Sequence, residues 1–189
     1  MALTNIEIIN AALLKLGARK ITSLSDGSAE SDIAGTLYGP VRDALFALYP
    51  WGFAATQTAL STSAYTPTAD YQYAFLLPAD HVRTLSVGGA GSGAGVIFRQ
   101  QAGHIETDES PMTLTYIRRV NESDQPPHFN MALMARLAAE FCVPLTENAA
   151  RAEVLYRLAD QELIRARMVD SQQDTPSALM SYSLIDARG

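Results

Sequence analysis

Tyr71-Gln72-Tyr73-Ala74-Phe75-Leu76-Leu77 and Val82-Arg83-Thr84-Leu85-Ser86-Val87 decide the fold class of this chain. Both runs are rich in aromatic and β-branched residues, and Pro78-Ala79-Asp80-His81 separates them, so each reads as a strand. Val96-Ile97-Phe98-Arg99, His104-Ile105-Glu106-Thr107 and Met112-Thr113-Leu114-Thr115-Tyr116-Ile117 continue the series. Short Gly, Asp, Ser and Pro connections between them predict antiparallel pairing. Helical periods flank this stretch on both sides. The sequence therefore predicts an α+β fold: mainly a bundle of about four helices, with a small antiparallel β insertion over about 71–120 and an extended C-terminal tail.

The helices are expected at about 4–17, 29–48, 127–143 and 147–168. Thr4-Asn5-Ile6-Glu7 has the form of a capping box, Ile6, Ile9, Leu13 and Leu16 follow at helical spacing, and Gly17 is placed to end the helix. The second helix carries Ile33, Leu37, Val41, Leu45 and Leu48, with Gly39-Pro40 predicting a kink or a split. Tyr49-Pro50-Trp51-Gly52-Phe53 closes it, and Trp51 and Phe53 are read as core. Phe129, Leu133, Leu137 and Phe141 recur every fourth residue among Ala132, Ala135, Ala138 and Ala139, and Pro144 is expected to stop that helix. In the last helix Val154, Leu155, Leu158, Ile164 and Met168 are the apolar positions, among Arg151, Glu153, Arg157, Asp160, Glu162, Arg165 and Arg167. Thr146 or Asn148 can cap it.

Residues 1–170 read as one domain and 171–189 as a tail. The tail carries Leu179, Met180, Tyr182, Leu184 and Ile185, more apolar side chains than a solvated terminus ordinarily holds. Docking on a partner and folding back on its own domain both fit that pattern.

Composition narrows the function classes. Fourteen Lys and Arg against twenty Asp and Glu leave a net charge of -6, which argues against gripping nucleic-acid phosphates. One cysteine, Cys142, rules out an internal disulfide or a zinc-thiolate cluster. No apolar run approaches the roughly 20 residues of a spanning helix, and the start lacks a secretory pattern, so synthesis and folding are expected in the cytoplasm. Gly88-Gly89-Ala90-Gly91-Ser92-Gly93-Ala94-Gly95 precedes a strand and not a helix, so it reads as a flexible hairpin tip and not as a phosphate loop. His81, His104 and His128 have no metal-ligand spacing, and Asp80 and Arg83 read as turn residues, Asp80 bonding nearby backbone. No nucleophile, base and orienter are placed together, and neither cofactor nor metal is expected.

The order Ala12-Leu13-Leu14-Lys15-Leu16-Gly17-Ala18, Ile21-Thr22-Ser23-Leu24, Val41-Arg42-Asp43-Ala44-Leu45, Tyr49-Pro50-Trp51-Gly52-Phe53-Ala54 and Tyr73-Ala74-Phe75-Leu76-Leu77-Pro78-Ala79-Asp80 resembles the tail tubular protein A family of tailed bacteriophages. The matching motifs span about residues 4–85. The resemblance implies a structural virion protein and not an enzyme. The implied protein is a head-to-tail adaptor, a dodecameric ring beneath the portal protein that continues the DNA channel and receives the tail nozzle or tube. Duplex DNA would pass without specific binding, and no membrane is involved. In similar adaptors the C-terminal segment inserts against the portal, which implies portal or neighbouring-subunit docking for Leu179, Met180, Tyr182, Leu184 and Ile185. Two other readings stay open: another connector, such as a head-completion or tail-terminator protein, and a small ligand-binding or hydrolase domain using the Gly-rich loop.

Overall fold

The computed structural model describes residues 3–89 and 93–173. In chain order it holds α1 (Asn5–Leu16), α2 (Ala29–Leu48), β1 (Ala55–Leu60), β2 (Tyr73–Leu76), β3 (His81–Gly88), β4 (Arg99–Gln101), β5 (His104–Thr107), β6 (Met112–Arg118), a short 3-10 turn, α3 (Pro127–Thr146) and α4 (Ala149–Ser171).

Each helix start has a local cause. The Thr4 side chain accepts from the Glu7 N–H while the Glu7 carboxylate accepts from the Thr4 N–H at 2.8 Å, so two otherwise orphan donors are satisfied. Gly17, at φ 72°, ends α1 in the left-handed region. Ser28 caps α2, and Asn148 caps α4 by accepting from the Arg151 N–H at 2.9 Å. Neither internal proline breaks its helix. Pro40 lies within one continuous α2, on its exposed side, where water can serve the carbonyl that loses its N–H partner. α3 likewise runs two residues past Pro144 and stops at Glu147, which adopts φ 52°.

The strands form two sheets and not one insertion. β1, β6 and β3 make one antiparallel sheet in that order, and β2, β5 and β4 make another. In the first, Ala55 pairs with Ile117 and Leu60 with Met112, while β3 lies on the other edge of β6 with two bulges. In the second, Phe75 and Gln100 both face Ile105 from opposite sides. This corrects the expected helical bundle with a small insertion: the fold is a mixed α+β architecture of four helices and two three-stranded sheets. The β region opens at Ala55 and not near 71. The reason lies in Ala55-Thr56-Gln57-Thr58-Ala59-Leu60, which buries no residue fully and so carries no strong apolar alternation.

Residues 90–92 of the Gly-rich stretch lie outside the described residues. Beyond them the Val96 N–H donates to the Val87 carbonyl at 3.2 Å, so the chain folds back along β3 before crossing to β4 in the other sheet. Val96, Ile97 and Phe98 precede the strand, with Ile97 82% exposed. The Gly93 carbonyl accepts from the Ser86 hydroxyl at 2.6 Å and from the Thr115 hydroxyl at 3.2 Å, which fastens that end of the crossing to the first sheet.

The main core gathers around α3, whose Phe129, Leu133, Leu137 and Phe141 are all fully buried. Trp51 is fully buried beside them, edge-on to Phe129 at 5.2 Å, and Phe46 stacks on Phe129 at 4.6 Å. The indole N–H donates to the Leu45 carbonyl at 2.9 Å, one of the last four carbonyls that α2 cannot satisfy internally. A second cluster of Phe75, Val87, Ile105, Met112, Leu114 and Tyr116 lies between the sheets. Leu48, read as part of the α2 stripe, instead points outward.

Candidate functional site

The feature that nothing among the described residues explains is the outer face of α4. Its inward positions are Ala152, Ala159 and Ala166, spaced by seven, followed by Asp170. Small side chains let α4 lie close on Ala135, Ala138 and Ala139 of α3. The large apolar residues went elsewhere. Leu158, Ile164 and Met168 are 50%, 58% and 58% exposed, with Val154 and Val169 beside them. The spacing of these residues reads as a buried stripe, and the structure corrects that: only Leu155 of the expected set is partly buried. At 3.6 residues per turn, a close-packed alanine stripe sends every residue half a turn away into solvent.

Polar contacts fix α4 at both ends. The Arg151 guanidinium donates to the Lys15 carbonyl of α1 at 3.1 Å. Midway, the Tyr156 hydroxyl donates to Glu140 at 2.8 Å, and Arg136 lies 4.9 Å over the Tyr156 ring. Burial and then the Glu140 carboxylate push the Tyr156 phenol above its ordinary range. At the far end the Asp170 carboxylate accepts from the Gly52 N–H at 2.9 Å and lies 3.5 Å from the His128 ring. Arg167 stacks on Tyr49, 5.5 Å from its centroid. The last turn of α4 is therefore clasped to the Tyr49-Pro50-Trp51-Gly52-Phe53 corner. The sequence reading missed Asp170, although its position four residues after Ala166, on the alanine stripe, marks it as inward-facing.

The remaining charged clusters hold the fold. Arg42 donates to Glu122 at 2.7 Å, Tyr38 donates to the same oxygen at 3.0 Å, and Arg119 grips both oxygens of Asp43. Burial raises the Glu122 carboxyl, but hydrogen bonds from its own backbone, Tyr38 and Arg42 outweigh it and leave it below the ordinary value. Asp43 is lowered in the same way, burial being outweighed by the Arg119 hydrogen bond and the Arg42 and Arg119 charges. Burial of the Tyr38 phenol next to Glu122 pushes it above its usual range. Glu106, only 1% exposed, pairs with Arg99 at 2.7 Å. Asp80 accepts from the Tyr116 hydroxyl at 3.0 Å and not, as expected, from nearby backbone through its side chain.

The histidines stand apart. His81 stacks on Tyr116, His104 stacks on Tyr65 and His128 faces Asp170. The structure does bring Ser63 to within 3.2 Å of His104, a pairing the sequence did not suggest. Ser63 Oγ is already occupied by the Tyr65 N–H, and His104 is oriented by the Ala102 carbonyl and not by a carboxylate, so the pair closes a turn. Among the described residues there is no cluster of three metal-binding side chains, and no helix is long and apolar enough to cross a membrane. Leu179, Met180, Tyr182, Leu184 and Ile185 lie outside the described residues. No protein-family model matches the chain, and no curated protein matches it.

Proposed function

We propose that this protein is a head-to-tail adaptor of a tailed bacteriophage, a structural subunit of a ring that joins the portal to the tail and continues the DNA channel. The observation that carries the reading is α4: a 23-residue helix, rigidly clasped at both ends, that turns alanines inward and large aliphatic residues outward. Nothing among the described residues covers that face, and a subunit that packs repeatedly on copies of itself buries it in the assembly. The resemblance of the Tyr49–Phe53 motif to the tail tubular protein A family supports it, and Trp51 and that corner anchor both the main core and the end of α4. The acidic balance supports a conduit, since a negative wall repels duplex phosphates and lets DNA slide.

On this reading the ring is dodecameric, it assembles in the host cytoplasm and resides at the head–tail junction of the virion, and its partners are the portal and the tail nozzle or tube. Leu179, Met180, Tyr182, Leu184 and Ile185 dock on the portal or on a neighbouring subunit. The test is electron microscopy of the chain mixed with its portal, together with mass measurement of the complex. Twelve copies per portal are expected, and removal of residues 171–189 should leave a folded protein that no longer binds. Unchanged binding of the truncated protein refutes the docking tail, and a different copy number moves the chain to another class of connector.

A further inference from the structure

Among the described residues two helix faces are left uncovered, and they are complementary. On α4 the outermost arc reads Val154, Arg157, Gln161, Ile164, Arg165 and Met168, all exposed, with Glu153 and Leu158 at its two edges. Arg157 and Arg165 are its cations, and Asp160 and Glu162 fall farther round the helix. Arg165 is held by Glu162, while Arg157 has no ion pair among the described residues. On α2 the exposed arc runs through Asp32, Thr36, Pro40, Ala44 and Leu48, four residues apart, with Gly35 beside it. Next to this arc Gly39 has open space above it: a Cβ added there would meet nothing within 4 Å. Asp32 has no ion pair among the described residues either. Between α2 and α3 lies a groove of about 200 Å³, lined on the α2 side by Pro40, Val41, Ala44, Leu45 and Leu48 and on the α3 side by the ion-paired Arg136 and Glu140.

We propose that α4 of one copy seats on the outer face of α2 of a second copy, an inference that rests on the ring reading and specifies the contact which builds it. The spacing fixes the register. With Arg157 opposite Asp32 and the helices running parallel, Gln161 falls opposite Thr36, Ile164 and Arg165 opposite Pro40, and Met168 opposite Ala44. Eleven residues on α4 span about 16 Å and twelve on α2 about 18 Å, so the pairs stay matched along the interface. Ile164 and Met168 then lie against Pro40 and Ala44, at the mouth of the groove. An antiparallel arrangement with the same ion pair would carry Met168 beyond the start of α2. The two faces differ, so the contact is heterologous, and repetition about an axis closes a ring or propagates a helix.

The experiment is sedimentation velocity on the full chain, with circular dichroism confirming that each variant is folded. One variant blocks α4 (Ile164→Asp with Met168→Asp) and the other blocks α2 (Thr36→Arg with Ala44→Arg); all four sites are at the surface except for partial packing. Neither should assemble alone, and their mixture should give a one-to-one complex, since each supplies the face that the other lacks. Arg157→Asp should weaken assembly about tenfold, and adding Asp32→Arg to the same chain should restore most of that loss, the coupling expected of a direct pair. Dimers formed by the α2-blocked variant alone would show α4 packing on α4 and overturn the inference. Wild-type assembly by both blocked variants would overturn it while leaving the ring reading intact. A wild-type chain that stays monomeric up to its solubility limit, with portal present, would remove both.

Discussion

Replacing Trp51 tests the claim that the Tyr49–Phe53 corner organises the main core. Trp51 is fully buried, packs on Phe129, Phe53 and Tyr49 at 5.1–6.0 Å, and donates its indole N–H to the Leu45 carbonyl at 2.9 Å. Trp51→Ala removes the ring from a site walled by helices and sheet, so the cavity cannot close, and the expected loss is about 4 kcal/mol. Trp51→Phe keeps most of the volume but strands the Leu45 carbonyl, and a buried acceptor left without a donor costs about 1–3 kcal/mol. For a chain of this size each kcal/mol moves the Tm by about 2–4 °C, so the alanine variant should melt about 12 °C below the wild type and the phenylalanine variant about 6 °C below. Thermal unfolding followed by far-ultraviolet circular dichroism measures both. If Trp51→Phe melts within about 2 °C of the wild type, the indole hydrogen bond does not secure the end of α2, and the corner is only filler.

Asp170→Ala should free the Gly52 amide for rapid hydrogen exchange and lower stability by about 1 kcal/mol, the smaller end of the range because Gly52 itself is exposed; unchanged protection there would refute the clasp. Arg99→Met leaves Glu106 as an unpaired carboxylate 1% exposed, so the β2–β5–β4 sheet should lose about 3 kcal/mol and exchange ahead of the helices; uniform exchange would refute a local role. Asp43 and Glu122 both have lowered carboxyl values in the folded state, so their contribution is fully present above their ordinary values of 3.8 and 4.5 and is lost as the pH falls through the folded-state values. Arg42→Met should flatten that acid limb of a Tm-against-pH curve, and an unaltered limb would place the titration elsewhere.

The sequence made the helix ends legible because they are local events: Thr4 with Glu7, Gly17 and Asn148 each act within four residues. It could not show that two prolines would be tolerated, since that depends on which side of the helix meets water. The strands of β5 and β6 announced themselves through buried Ile105, Leu114 and Ile117, whereas β1 stayed hidden because it is half-exposed along its whole length. Division of the strands into two sheets was unreadable for another reason: β3 pairs with β6 across more than twenty intervening residues, and chain order carries no record of that choice. The candidate surface was half visible. Leu158, Ile164 and Met168 stood out as apolar, but only the packing of Ala152, Ala159 and Ala166 against α3 decides that they face outward.

The alanine stripe also sets a dimension. Its small side chains determine how far α4 stands from α3, and a bulkier residue at Ala159 would push the helix outward by roughly the added side-chain thickness. In a closed assembly of the proposed kind every copy would carry the same displacement. A methyl group or two in the middle of each subunit would thus widen the circumference by a multiple of itself, making an interior packing position a control on the calibre of the opening.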